Sequence, residues 1–360
     1  MIVHIFNDQK KFSLGYFRFL RDSGFDLSGT VVWHYGKRGG DFAACGVSPR
    51  FIRSWFWPFG HYRMYRDLVA ADRIIIHSLA SPFLIGMLRL NPSLCRKVWW
   101  VIWGKDLYLY QLAERKSLPL RLYEAFRKPV IRNIAHIIAA LPGDYTLAKA
   151  WYGVRADYIP CPMLYPYCID YGGDGPAAAE TEGRQVLMLG NSASKTNEHE
   201  AALRILSGRV DRAEKVYCPL SYGGSRRYAR RIAALGRELL GPAFTPLIDY
   251  LPFEEYRRIW NSITIAVFNQ KRQEALGNIY SLIMMKKTVC LRPGTSTADF
   301  MRKIGVETPA FGKEFELKEL PAEVREANAA KLMEYIRPEK SREAWSGVLP
   351  RNEKGENGLE

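Results

Sequence analysis

The 360-residue chain has no apolar run able to cross a membrane: its longest strongly apolar stretch is Val98-Trp-Trp-Val-Ile-Trp103, far short of the ~20 residues a spanning helix needs. Any membrane contact is therefore expected to be peripheral. Cysteine is sparse as well. Cys45, Cys95, Cys161, Cys168, Cys218 and Cys290 form no CxxC pair and no metal-ligand spacing with the histidines, which excludes a disulfide framework or zinc ribbon and points to reduced, mostly buried thiols in a cytosolic compartment. No tandem repeat of solenoid length is present. The start, MIVHIFNDQKKF, lacks the apolar core of an export signal and reads as a first strand. No metal-binding DxD sequence follows a strand, so no metal is expected. Acidic residues are in deficit, 37 against 52 basic ones for a net charge of +15. Such a chain attracts nucleic acid, a phosphorylated substrate or an acidic membrane surface. No nucleic-acid module accompanies the charge, and nucleic acid is not expected as a partner.

What is present is a two-domain α/β pattern. Apolar residues make up 48% of the chain, enough for sizeable cores, and at roughly 150 residues per domain the length suggests two domains. Short β-type runs at 2–6, 31–35, 73–77, 97–103, 136–141 and 157–160 alternate with helical stretches, which implies a parallel sheet. Residues 171–184, YGGDGPAAAETEGR, have no apolar period and read as a linker. A second alternation follows, with strands at 185–189, 215–220, 246–251, 264–268 and 288–292. The expected organisation is a Rossmann-like domain over 1–170, a second over 185–349 whose last helices could return to the first, and a disordered tail at 350–360. Two such domains facing each other across a cleft fit the GT-B architecture; they also fit a periplasmic-type binding protein, but those are exported and no export signal is read here.

Three polar segments follow strands of the second domain. In LGNSASKTNEHEAAL, Asn197 and Glu200 have capping-box spacing, which places a helix start at Asn197. Gly190 permits close approach to the backbone, and the helix start attracts an anion such as a diphosphate; a plain turn followed by a capped helix fits the same residues. His199 and Lys195 can equally be surface residues. In Phe268 to Asn278, Arg272 offers a fork for phosphate, Gln273 and Glu274 offer partners for ribose or sugar hydroxyls, and Gly277-Asn278 can open the next helix toward a ligand; a solvated loop is the alternative. Tyr222, in Pro219 to Gly224, could stack on a base or bond a phosphate, or simply sit in a glycine turn.

In the first domain, His77 and the Trp103-Gly-Lys-Asp-Leu-Tyr108 segment lie just beyond strands. Asp106 is a candidate general base toward an acceptor hydroxyl, with His77 as competitor or partner; a helix cap and a buried imidazole are the plainer readings. Residues 50–66 interleave arginines with aromatics. That mixture suits a membrane interface first, an RNA-stacking surface second and a charged-rimmed core loop third.

Through Trp103 to Tyr108, Leu189 to Arg204 and, more loosely, Pro219 to Tyr222 and Arg272 to Gly277, the chain resembles the TDP-N-acetylfucosamine:lipid II N-acetylfucosaminyltransferase family, glycosyltransferase family 56. The similarity spans about residues 2 to 310. The resemblance implies a GT-B enzyme moving a deoxyamino sugar from a dTDP donor to an undecaprenyl-diphosphate-linked acceptor. It implies work at the cytoplasmic face of the bacterial inner membrane, as in enterobacterial common antigen synthesis. By the same resemblance Gly190, Asn191, Ser192, Asn197, Glu198 and His199 fall on the donor side, while Trp103, Gly104, Asp106 and Tyr108 fall on the acceptor side; Asp8 is a further acceptor-side candidate. The alternatives are a capsule or O-antigen transferase using another nucleotide sugar, and a non-catalytic nucleotide-sugar or lipid-binding protein of the same fold.

Overall fold

The computed structural model describes residues 1–7, 10–37, 39–52, 58–114, 117–168, 185–209, 211 and 213–352. The chain divides into two compact units, Met1–Cys168 with Ile336–Glu360, and Ile169–Tyr335. The segment 171–184 and the tail beyond 352 lie outside the described residues.

Unit 1 is built on strands β1 (Ile2–Phe6), β2 (Thr30–Tyr35), β3 (Arg50–Ile52), β4 (Arg73–His77), β5 (Val98–Val101), β6 (His136–Ala139) and β7 (Asp157–Pro160). They pair in parallel in the order β3-β2-β1-β4-β5-β6-β7. The order reverses direction at β1 and β4, so their carboxyl ends flank a switch point, the place where open parallel sheets receive ligands. Helices α1 (Lys10–Asp22), α2 (Pro58–Ala70), α3 (Pro82–Leu90), α4 (Lys105–Glu114), α5 (Leu118–Arg132) and α6 (Pro142–Tyr152) connect them.

Strand alternation sorts the two faces of this sheet. Val3, Ile5, Ile74 and Ile76 join the core that also holds Met64, Leu84, Leu107 and Ile131. On the other face His4, Phe6, His34 and His77 are buried, where Tyr16 of α1 meets the His77 ring at 4.9 Å.

Unit 2 carries β8 (Gln185–Leu189), β9 (Ala213–Pro219), β10 (Phe244–Leu247), β11 (Ile265–Phe268) and β12 (Thr288–Leu291), parallel in the order β10-β9-β8-β11-β12. Its helices are α7 (His199–Ser207), α8 (Arg226–Leu240), α9 (Phe253–Ser262), α10 (Leu276–Met284), α11 (Ser296–Lys303) and α12 (Ala322–Ile336). Here the switch point lies between β8 and β11. Helix α8 shows how the sequence selects its element. Tyr228, Ala229, Ile232, Ala233, Gly236 and Leu240 recur at helical spacing and are buried, and the Ser225 hydroxyl caps the start by accepting from Tyr228 N at 3.2 Å. After α12 the chain returns to unit 1 as α13 (Pro338–Ser346), whose neighbourhood includes the buried Trp345 against Tyr16 at 4.9 Å.

Several elements differ from the sequence expectation. The run 97–103 is a strand only to Val101, because Gly104 turns the chain at φ 90° and Trp103 N is taken by a carboxylate at 3.1 Å. The run 246–251 is β10, ending at Leu247, and Tyr250 is exposed. The arginine-aromatic segment 50–66 begins as edge strand β3, passes through 53–57 outside the described residues, and continues as α2. The tail is attached at its start: Phe25 and Arg351 form an antiparallel bridge, and Asp26 N donates to Pro350 O at 3.0 Å.

Candidate functional site

The switch point of unit 2 gathers most of the polar residues singled out from sequence. The loop after β8 does not form a capping box. The Asn197 carboxamide instead turns back into its own loop, accepting from Asn191 N at 3.3 Å and donating to Ser192 Oγ and Ser194 O at 3.4 Å each. Glu200 points to the surface and pairs with Arg231 at 3.2 Å. Helix α7 therefore begins at His199, and its first residue follows Glu198 in the left-handed region at φ 52°. Helix α10 begins the same way, after Ala275 at φ 61°. Neither residue is glycine, and such conformations cost on the order of 1–3 kcal/mol. With Ser78 after β4 at φ 74°, three of the four described non-glycine residues with positive φ follow strands that flank a switch point.

The loops after β8 and β11 are tied together. Lys271 N donates to Thr196 O at 2.9 Å, the Thr196 hydroxyl donates to Glu274 Oε1 at 2.5 Å, and Asn269 Nδ2 donates to Glu198 O at 3.3 Å. Lys271 Nζ pairs with Glu198 at 2.9 Å. Arg272 is not a free fork: Nη2 donates to Glu274 Oε2 at 2.7 Å and Nη1 to Gln273 O at 3.0 Å. Burial pushes the Glu274 carboxyl up, while Arg272 and the Thr196 hydroxyl act against that rise. The loop after β9 joins through Ala193 N donating to Tyr222 O at 2.7 Å, which leaves the Tyr222 ring exposed, its hydroxyl accepting weakly from Asn191 Nδ2 at 3.5 Å.

His199 is fully buried, and desolvation lowers its pKa to about 4, so it is neutral near pH 7. Its Nδ1 lies 3.1 Å from the Tyr228 hydroxyl, and its Nε2 has no protein partner. A Cβ on Gly190 (φ 71°) would fall 3.0 Å from that Nε2 and 2.9 Å from Asn197 Oδ1; only glycine lets the chain pass this close. Asn191 Oδ1, Gln270 Oε1 and Gln273 Oε1 are likewise buried without a partner. Four orphaned polar atoms on the two loops at one switch point are costly unless a ligand or ordered water satisfies them, at about 1–3 kcal/mol each. Gly277 and Asn278 occupy the first turn of α10, half-buried, with open space over Gly277.

In unit 1 the candidates separate. Asp106, 1% exposed, accepts at Oδ2 from Leu79 N (3.0 Å) and Trp100 Nε1 (2.7 Å) and at Oδ1 from Trp103 N (3.1 Å). A carboxylate with three donors and no exposure braces the loops after β4 and β5. That is the arrangement of the plainer reading, a cap or turn residue at the start of α4. His77 is also enclosed, its Nδ1 2.8 Å from the Tyr165 hydroxyl, its Nε2 3.3 Å from His4 Nδ1 and its ring stacked on Phe6 at 3.7 Å. Burial, then the neighbouring His4 and His34, hold its pKa well below the usual value. It is a buried neutral imidazole linked through Tyr165 to the half-buried Trp103, whose Nε1 donates to the same hydroxyl. Tyr108 lies in the core, its hydroxyl donating to Asp144 at 3.2 Å. Asp8 lies outside the described residues.

Sequence reasoning passed over Thr196, Asn269, Gln270 and Tyr228. The first three sit in the quoted loops and carry the legible signal of polar residues just beyond a strand, whereas Tyr228 and Tyr165 meet the histidines only through tertiary packing. Among the described residues no group of three or more His, Cys, Asp or Glu side chains could hold a metal ion, and no helix is long and apolar enough to cross a membrane.

Known structures share the fold. A glycosyltransferase from Rickettsia africae superposes with a TM-score of 0.65 at 11% identity, covering 96% of this chain and 97% of that one. WaaG, a glycosyltransferase involved in lipopolysaccharide biosynthesis, gives 0.63 at 11% identity over 96% and 100%, and Anabaena HepE in complex with UDP and glucose gives 0.61 at 10% identity over 96% and 95%. The family described as 4-alpha-L-fucosyltransferase, glycosyl transferase group 56, matches residues 71–305. A match across well over half the chain, on an α/β fold of GT-B type, makes this protein a member of glycosyl transferase group 56 and a glycosyltransferase.

Proposed function

We propose that the protein transfers an N-acetylfucosamine-type deoxyamino sugar from a dTDP donor to an undecaprenyl-diphosphate-linked oligosaccharide, in a bacterial surface polysaccharide pathway of the enterobacterial common antigen kind. The observation that carries the donor half is the set of orphaned atoms, Asn191 Oδ1, His199 Nε2, Gln270 Oε1 and Gln273 Oε1, at the β8/β11 switch point. Two helix starts, α7 and α10, open there and Lys271 stands beside one of them. That combination suits a nucleoside diphosphate sugar, whose charge is favoured by free helix amides and whose base N–H and sugar hydroxyls can donate to the three carboxamide oxygens.

In the reaction the acceptor hydroxyl oxygen forms the new bond to the anomeric carbon, the bond from that carbon to the β-phosphate oxygen breaks, dTDP leaves with the electron pair, and the hydroxyl proton passes to the departing diphosphate oxygen or to water. Gly190 lets the donor approach the loop. His199, neutral, donates from Nε2 when the Tyr228 hydroxyl donates to Nδ1. The helix starts and Lys271 offset the charge that grows on the leaving diphosphate, so the proposal includes no metal. Acceptor binding is assigned to unit 1, around Trp103 and Gly104 at the carboxyl edge of its sheet, with the enzyme on the inner face of the inner membrane.

The test is transfer from dTDP-deoxyamino sugars to a short polyprenyl-diphosphate disaccharide, with and without EDTA. Absence of transfer from any nucleotide sugar sinks the proposal, and loss with EDTA overturns its metal-free part. A thermal-shift panel of dTDP, UDP and GDP reads the base independently, since a ligand at 100 times its Kd adds about 2.7 kcal/mol.

A further inference from the structure

Helix α5 presents an outer face that neither site uses. Leu118, Leu122 and Phe126 recur every four residues and so share one side; they are 65%, 62% and 45% exposed. The opposite side is packed, with Glu124, Arg127, Val130 and Ile131 buried. Arg121, Lys128 and Arg132 are exposed along the edge of the apolar stripe. No carboxylate balances them on this helix, because its one acid, Glu124, is buried and holds Arg127 through two hydrogen bonds of 3.0 Å.

The same chemistry continues on the neighbouring helices. Phe59 and Tyr62 of α2 are exposed beside the exposed Arg63. The inward-facing His61 meets the ring of Phe83, at the start of α3, at 4.5 Å. The Tyr123 hydroxyl of α5 donates to Ala80 O at 3.1 Å, just before α3. Three helix segments thus lie along one side of unit 1, each bringing an exposed aromatic or aliphatic side chain.

Exposed apolar side chains gathered this way mark an interaction surface, and the charge chooses the partner. Cations bordering an apolar stripe match the anionic headgroup layer above acyl chains, into which an amphipathic helix settles in the plane of the interface. We propose that α5, with the starts of α2 and α3, is a docking face for an anionic phospholipid bilayer, Leu118, Leu122 and Phe126 entering the acyl boundary while Arg121, Lys128 and Arg132 meet the phosphates. Arg127 Nη1 donates to Leu79 O at 3.0 Å, so the docked helix is fastened to the loop after β4, at the sheet edge assigned to the acceptor. The use of the face, bringing that edge to a lipid-linked acceptor, rests on the proposed reaction; its existence rests on the surface alone.

Co-sedimentation of the full chain with phosphatidylglycerol vesicles and with phosphatidylcholine vesicles tests this. The wild type is expected to sediment with the anionic vesicles only and to be released by salt. The variant Leu118→Ser/Leu122→Ser/Phe126→Ser is expected to bind at least about tenfold more weakly, and Arg121→Glu/Lys128→Glu to lose the anionic preference, both with unchanged thermal unfolding. Equal vesicle binding by wild type and the serine variant overturns the proposal. So does a wild type that ignores vesicles and forms a dimer which the serine variant lacks, since the occupant is then a second copy. Transfer to a water-soluble short-chain acceptor separates the two readings: its failure with vesicle binding intact counts against the substrates and leaves the docking face standing.

Discussion

The Thr196 hydroxyl donates to Glu274 Oε1 across 2.5 Å, joining the loop after β8 to the loop after β11. This bond spans the unit 2 switch point and ends on a carboxyl already held by Arg272. Thr196→Val removes the donor while keeping the volume. It is expected to weaken dTDP binding by about ten- to a hundredfold, the equivalent of the ~1.5–3 kcal/mol of a charge-assisted hydrogen bond, as read by calorimetry. An unchanged Kd would mean that the loops keep their positions without it.

Glu274 also carries a pH signature. Its folded pKa is raised above the ordinary 4.5, chiefly by burial. Between the unfolded value and the raised folded value the native chain holds a proton the unfolded chain has lost, so stability falls as pH rises through that window. Glu274→Gln is expected to flatten this part of the unfolding curve, measured by urea denaturation at closely spaced pH.

The buried histidines act in the opposite sense. His4 is lowered to about 3 and His199 to about 4, both by desolvation, and His77 is held well below 6.5. Below about pH 6.5 the unfolded chain takes up protons that the native chain refuses, so stability is lost on acidification and is fully present above it. The expected slope is up to ~1.4 kcal/mol per pH unit for each histidine. His199→Gln should remove one such contribution between pH 6.5 and about 4. Identical slopes for the variant and the wild type would contradict a buried neutral His199.

Asp106 is expected to matter for folding more than for turnover. Asp106→Asn leaves one acceptor oxygen for three N–H donors, and a loss of about 2–4 kcal/mol in unfolding free energy is expected. Below its melting temperature the variant should keep kcat within a few-fold. A fall in kcat of a hundredfold or more with unchanged stability would support the base role instead.

Gly190→Ala and Gly236→Ala form a matched pair. At Gly190 the new methyl would meet His199 Nε2 at 3.0 Å, and at Gly236 it would meet Phe244 at 2.2 Å. Both should destabilise by at least about 1–3 kcal/mol. Only the first should raise the Kd for dTDP in protein that remains folded, because α8 against β10 is core whereas the β8 loop belongs to the proposed donor site.

The strands were the most legible part. Ile2–Phe6, Arg73–His77 and Gln185–Leu189 are short β-type runs bounded by polar residues, and the structure has them at those positions. The three-residue β3 was hidden, because an edge strand among arginines has neither the length nor the alternation that signals one. The start of α7 was misplaced for a different reason. Asn197 and Glu200 have the spacing of a capping box, but the Asn197 carboxamide finds its partners in Asn191, Ser192 and Ser194, and a spacing rule does not see competing acceptors.

The sequence by itself determined an alternating α/β chain without a spanning helix, and it pointed to the loops after β8 and β11, because strand periodicity and polar residues at strand ends are local properties. Tertiary structure decided what those residues do. Asp106 and Glu274 accept from Leu79 N and the Thr196 hydroxyl, partners that folding brings to them, while His199, Asn191, Gln270 and Gln273 are left buried with atoms unspent. Pairing and burial depend on distances between segments far apart in the chain, and those distances separate a brace from a site.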